Sequence, residues 1–245
     1  MKRLIIAFVL MLSCALPATA GSMVNYTING EAFEGYFTSP ADNAPLVVII
    51  HDWDGLTDYE ITRANMLHEL GYAAFAADLY GAGVRPTKTE DKRSQTQALY
   101  TNRERMRTLM YGALKVADKL GADTTNAVAI GYCFGGAAVL ELARSGMPMK
   151  GFVSFHGGLT TPEGQGYADT NGFVLVLHGT ADTAVTMQDF ANLAVEMEEA
   201  GVAHEMTTYS GAPHAFTVIG STRYHPEADR QSWARLIRFL GETLN

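Results

Sequence analysis

A chain of 245 residues, 47% hydrophobic and 18% charged, can bury a full core, and its formal charge of −8 argues against nucleic acid or an anionic membrane as partner. It has no block of like charges, no low-complexity tract and no repeat of fixed period, which excludes disordered and solenoid classes. A single α/β domain over residues 21–245 is expected.

In chain order, Lys2 and Arg3 precede an apolar run from Leu4 to Leu12, then Pro17 and the small-residue triplet Ala18-Thr19-Ala20. This pattern predicts a signal peptide over residues 1–20, cut after Ala20, and a periplasmic or secreted mature protein. Lipidation at Cys14 is the weaker alternative, because Met11-Leu12-Ser13 lacks the small residues such processing prefers. Cleavage removes two of the 18 basic residues, leaving 16 against 26 acidic ones, a charge of −10, and Cys133 as the sole cysteine. No later segment reaches the about 18 uninterrupted apolar residues of a membrane helix.

Tyr26 to Phe37, with Asn29-Gly30 between short alternating runs, predicts an N-terminal antiparallel hairpin. Apolar runs at Leu46 to Ile50, Tyr72 to Ala77, Ala127 to Ile130, Gly151 to Phe155 and Phe173 to Leu177, and a weaker one at His204 to Tyr209, read as strands buried on both faces. Helical patterns separate them: Glu60 to Leu70, one long stretch from about Glu90 to Leu120, Gly136 to Arg144, Met187 to Ala200 and Glu227 to Leu244. The alternation predicts a doubly wound, mostly parallel sheet whose ligands bind at the carboxyl ends of the strands. Residues 156–172 are rich in glycine and threonine, which predicts no large helical lid and an open cleft.

Gly131-Tyr132-Cys133-Phe134-Gly135 directly follows a strand pattern and directly precedes a helix pattern, the setting of a nucleophile elbow with cysteine in the serine position. A tight turn with a buried structural cysteine would produce the same five residues. Asp182 follows the strand that ends near Leu177, where a carboxylate can orient a histidine, although an aspartate there can also be a simple helix cap. His214 lies in Ser210-Gly211-Ala212-Pro213-His214 after the last strand, where a base can reach back over the sheet. Nucleophile, acid and histidine in that order, each after a separate strand, form the order of α/β-hydrolases. Cys133, Asp182 and His214 are the expected catalytic residues.

With its glycines and cysteine, the segment Gly131 to Gly136 resembles the elbow of the dienelactone hydrolase family, and similar segments run from Val47 to the C-terminus, including Gly71-Tyr72-Ala73 and Asp78-Leu79-Tyr80. The resemblance implies an α/β-hydrolase fold, a Cys-His-Asp triad, no cofactor, and a small ester or lactone as substrate. It also implies that Asp52, in His51-Asp52-Trp53-Asp54-Gly55, is the acid that touches the resting thiol, one methylene shorter than the family's glutamate. Backbone N–H groups of Trp53 and Phe134 would form the oxyanion hole. Of two arginines that hold the family substrate's carboxylate, Arg93 could supply the first, with Arg85 as rival. The second is absent, since Phe216 is followed by Thr217-Val218-Ile219. Dienelactone is therefore not the expected substrate.

Trp53, Tyr80 and Phe216 are expected near the cleft. His51, His156 and His214 lie on three separate loops, unlike the spacing of a zinc site, so no metal is expected. His178 reads as structural, and Arg103, Arg105 and Arg107 as a solvated helix face. The rivals to an esterase are a thioesterase or acyltransferase on the same triad, a cysteine peptidase or amidase, and a binding protein that kept the fold without turnover. The sequence carries no signal for oligomeric state.

Overall fold

The computed structural model describes residues 21–244; the leader expected over residues 1–20, with Cys14, lies outside the described residues. Strands β1 (Gly21–Ile28) and β2 (Glu31–Thr38) form the antiparallel hairpin, closed by Asn29 and Gly30, both at positive φ. Six parallel strands follow: β3 (Pro45–Ile50), β4 (Ala73–Ala77), β5 (Asp123–Tyr132), β6 (Gly151–Phe155), β7 (Phe173–Gly179) and β8 (His204–Tyr209). With the hairpin joined antiparallel to β4, they make one eight-stranded sheet in the order β1-β2-β4-β3-β5-β6-β7-β8.

Period-two alternation divides the central strands between two cores. Leu46, Val48, Ile50, Phe75 and Ala129 pack under helices α3 (Arg103–Lys119), α4 (Phe134–Arg144) and α5 (Met187–Glu199). Val47, Ile49, Ile130, Val153 and Leu177 pack under α1 (Asp58–Glu69) and α6 (Pro226–Thr243) on the other face. Burial on both faces explains why these strands read as unbroken apolar runs, each fully buried valine, leucine, isoleucine or phenylalanine contributing about 1.5–3 kcal/mol. The order β4-β3-β5 reverses the winding beside β3, and the carboxyl ends of β3 and β5 open there into the site.

Two expectations need correction. The stretch expected as one helix from Glu90 to Leu120 is two, because Asn102 leaves helical geometry to cap α3 by accepting from Arg105 N–H at 3.0 Å, ending α2 (Thr89–Thr101). Of the expected solvated face of Arg103, Arg105 and Arg107, only the Arg105 pair is exposed. Arg103 and Arg107 converge with Arg144 on the buried carboxylate of Glu141, while Arg105 forms a bidentate pair with Glu31 on the hairpin. A charge this deep is retained only when paired and hydrogen-bonded, and Glu141 accepts from three arginines and Gln165.

Residues 156–172 contain no helix, so no helical lid covers the carboxyl edge from that segment. Among the described residues no helix is long and apolar enough to cross a membrane.

Candidate active site

The turn between β5 and α4 places Cys133 at φ +52° and ψ −110°, a conformation disfavoured for a residue with a side chain. The turn exists because its glycines admit close backbone contact: a Cβ on Gly131 would lie 2.1 Å from Gly135 O, and one on Gly135 2.1 Å from Ile50 O. Cys133 N–H donates to Phe155 O at 3.0 Å and to His156 Nδ1 at 3.2 Å. The thiol is partly exposed at the start of α4, where the helix dipole and free N–H groups favour negative charge.

The loops after β7 and β8 bring the other two residues to it. Thr180 N–H donates to Tyr209 O and Ala181 N–H to Ala212 O, both at 3.0 Å, and a Cβ on Gly179 would lie 2.2 Å from Ala212 O, so the loops pack backbone against backbone. His214 Nδ1 lies 2.7 Å from Asp182 Oδ2, and Nε2 lies 3.0 Å from Cys133 Sγ. Asp182 Oδ1 accepts from Ala184 N–H at 2.8 Å and Val185 N–H at 2.9 Å. Burial raises the Asp182 pKa, but the His214 hydrogen bond and these N–H donors outweigh it and hold the carboxyl below its ordinary value. An ionised Asp182 at Nδ1 assigns the proton to that nitrogen and leaves Nε2 free to accept from the thiol.

The loop after β3 supplies the acid. Asp52 lies against the Cys133 thiol, where it competes with His214 Nε2 for the one sulfur-bound proton, and its Oδ1 accepts from Trp53 N–H at 2.5 Å. Phe134 N–H is directed at the Cys133 sulfur. Both N–H groups expected to hold an oxyanion are thus engaged within the resting site. Burial, then the charge and hydrogen bond of Asp52, push the Cys133 thiol well above its ordinary pKa, so sulfur rests protonated. Glu60, missed by sequence reading, is buried and holds the loop, accepting from Asp52 N–H at 3.2 Å and from Thr57 N–H and hydroxyl at 2.8 Å. Its only sequence signal is the capping box with Thr57 on α1.

Burial, with the charge of Asp54, pushes Asp52 up to about 6 from an ordinary 3.8. An acid with a raised folded-state pKa takes up protons on folding, so its contribution to stability falls as pH rises from about 4 to about 6. Asp52→Asn keeps an acceptor for Trp53 N–H and removes the charge. It is expected to stabilise the fold by about 2 kcal/mol at pH 7.5 and not at pH 4, and to speed thiol alkylation at neutral pH. Urea unfolding at the two pH values checks this; equal effects at both would refute it.

The remaining expected residues fall in different places. The Tyr80 ring packs on His51 and Phe134, and its hydroxyl donates to Trp53 O at 3.2 Å, on the wall of the site. Phe216 is not in the cleft: it is fully buried against His156 and Tyr209, because the turn over residues 214–217, with Ala215 at positive φ, directs it into the core below the site. Arg93 is exposed on α2, and the cation facing the oxyanion loop is Lys92, over the Trp53 ring at 5.2 Å and paired with Asp54 at 3.2 Å. Adjacent helix positions point about 100° apart, so only one of the two can face the loop. Arg85 is held by Asp78, Glu34 and backbone carbonyls of Gly81 and Val84. Both nitrogens of His51 are engaged, by Asp52 O at 2.6 Å and Leu79 N–H at 3.2 Å, and His178 bonds Val185 O at 3.0 Å. A cavity of about 290 Å³ beside the first turn of α4 is lined by Tyr100, Arg103, Ala137, Arg144, Gly158 and Thr160.

A model of the dienelactone hydrolase family matches residues 33–244. The chain belongs to that family. Among curated proteins, one of Saccharolobus solfataricus that carries the name carboxymethylenebutenolidase is 23% identical over 251 residues, covering 88% of this chain and 96% of its own. One of Methylorubrum extorquens with the same name is 25% identical over 215 residues, covering 82% and 74%. Among solved structures, a dienelactone hydrolase-like promiscuous phosphotriesterase from metagenomic libraries superposes with a TM-score of 0.85 at 30% identity, covering 92% of this chain and 98% of that one. A dienelactone hydrolase-type structure from Klebsiella pneumoniae superposes with a TM-score of 0.81 at 19% identity, covering 90% and 98%, and shows the shared fold. The superposed structures share this chain's fold, and a small molecule is the kind of substrate the family implies.

Proposed function

We propose that this dienelactone hydrolase-family protein cleaves an ester or lactone through an acyl-enzyme on Cys133. The observation that carries the reading is the unbroken line Cys133 Sγ, His214 Nε2, His214 Nδ1, Asp182 Oδ2, with contacts of 3.0 and 2.7 Å. Substrate binds over the elbow, its carbonyl oxygen taking the N–H groups of Trp53 and Phe134 from their resting partners. His214 receives the thiol proton, sulfur attacks the acyl carbon, and the protonated His214 passes the proton to the departing alkoxide. Water deprotonated by His214 then attacks the thioester, releasing the acid and restoring the thiol. Each half-reaction develops negative charge on the same oxygen, so one pair of donors serves both.

The cavity lined by Tyr100, Arg103 and Thr160 adjoins the first turn of α4 and is the place for the substrate's non-reacting part. Arg93 is exposed on α2 and Thr217-Val218-Ile219 holds no arginine, so the family's two-arginine clamp is not matched in those segments and the natural substrate is read as an ester or lactone other than dienelactone. A cleavable leader over residues 1–20 would place the reaction outside the cytoplasm.

Hydrolysis of short-chain p-nitrophenyl esters, before and after alkylation of the thiol, tests the reading. Expected are turnover in the first sample, loss in the second, and a mass increase equal to the acyl group on rapid quenching. Activity that survives complete alkylation would overturn it. Offering alcohol or amine acceptors separates an acyltransferase from a hydrolase, and a neutral phosphotriester tests whether the activity named for the metagenomic relative extends to this chain.

A further inference from the structure

We infer that His156 is a positioning residue that locks the nucleophile's backbone to the loop of the base, through one buried path from Cys133 N–H to Thr217. The inference rests on the Cys133 reading above. His156 follows β6, is fully buried, and stands at φ +39°. Its Nδ1 lies 3.2 Å from Cys133 N, and its Nε2 2.8 Å from Thr217 Oγ1. Thr217 is three residues beyond His214 in the same loop. The two ends of this imidazole therefore touch the segments that carry the nucleophile and its base, by a route independent of the sulfur–Nε2 contact.

The donors run in one direction. A backbone N–H can only donate, so Nδ1 of His156 accepts and Nε2–H donates to the Thr217 hydroxyl. That hydroxyl lies 2.7 Å from Tyr59 OH, which in turn accepts from Arg63 Nε at 3.3 Å. Arg63 also donates to Thr217 O at 3.0 Å and pairs with Asp229, which accepts from Tyr224 OH at 3.1 Å. The path thus ends in a buried ion pair between α1 and α6 that fixes Thr217 from two sides. The ring of His156 also meets His214 edge-on at 5.5 Å. Burial, then the neighbouring His214, hold the His156 pKa well below its ordinary value, which keeps Nδ1 available as an acceptor.

The left-handed backbone of His156 costs about 1–2 kcal/mol, and it aims the imidazole so that its two nitrogens reach the segments of the nucleophile and of the base. Two of the three non-glycine residues that stand at positive φ around the site, Cys133 and His156, the third being Ala215, are joined directly by the bond in question. Cys133 N–H shares its hydrogen with the nearer Phe155 O, so losing His156 leaves the turn formed but frees its tilt, and Sγ drifts from His214 Nε2, a displacement that slows acyl transfer more than it weakens binding.

The test uses purified variants of the mature chain, with ester hydrolysis and iodoacetamide alkylation of Cys133 followed over pH. His156→Gly permits the positive φ and removes both bonds. It is expected to lower kcat by about 30-fold with KM within about threefold, and to shift the pH profile of alkylation. His156→Asn tolerates the same φ and returns an acceptor near Nδ1, so kcat is expected within about fivefold of the parent. Thr217→Val, close in shape but without the hydroxyl, is expected to lose about tenfold, and Thr217→Ser to recover it. If His156→Gly does not fold, the Thr217 pair decides. If the parent hydrolyses no ester, the reaction reading fails while the alkylation profiles still judge His156. Profiles and kcat within about twofold of the parent in the Gly and Val variants, or losses that Asn and Ser do not repair, would overturn the proposal.

Discussion

Asp182→Asn is expected to lower kcat about ten-thousand-fold without unfolding the protein. Asp182 Oδ1 already accepts from Ala184 and Val185 N–H, at 2.8 and 2.9 Å. In the asparagine variant these donors fix the amide oxygen at that position, so the amide nitrogen must occupy the place of Oδ2, facing His214. An NH2 group can only donate to Nδ1, which drives the imidazole proton to Nε2, and a protonated Nε2 no longer accepts from the thiol now 3.0 Å away. Alkylation of Cys133 should slow in parallel, since it needs the same proton removed. Steady-state kinetics and the alkylation rate check this together. A loss below tenfold would mean that Asp182 only braces the turn at Ala184 and Val185, since the helix that follows is capped by Thr186.

Cys133→Ala is expected to remove hydrolysis to the limit of detection and to leave the thermal midpoint within a few degrees of the parent. The two outcomes separate because the elbow's strained conformation belongs to the backbone, held by Phe155 O, His156 and the neighbouring glycines, and not to the sulfur. Removing the thiol also removes a neighbour of Asp52, whose Oδ1 keeps Trp53 N–H as its donor. Calorimetry and ester turnover on one preparation are sufficient. Hydrolysis within tenfold of the parent would refute the acyl-enzyme and leave His214 acting on water as the alternative.

Strand and helix alternation, the hairpin at Asn29-Gly30 and the elbow at Gly131 to Gly135 were legible in the sequence alone, because each is governed by neighbours within a few residues. Apolar runs buried on both faces mark parallel strands, and glycines bracket a turn that tolerates no Cβ. The chain order of Cys133, Asp182 and His214 was legible for a related reason: each ends or follows a strand, and the carboxyl ends of parallel strands share one edge.

Contacts between distant segments were decided by tertiary structure. Asn102 breaks a helix that periodicity extends, since a cap competes locally with the pattern that the window averages over. Lys92 and not Arg93 faces the oxyanion loop because the rotation of α2 against that loop is set by packing. Phe216 enters the core where the sequence suggested a cleft, and Arg103 and Arg107 find Glu141 more than thirty residues away. The resting contact of Asp52 with the thiol, and the path from Cys133 through His156 to Thr217, likewise join loops after different strands. Local sequence determined the elements and the edge at which the chemistry gathers. The hydrogen-bond partners that set protonation and hold the strained backbone depend on non-local distances, which exist only once the sheet is closed.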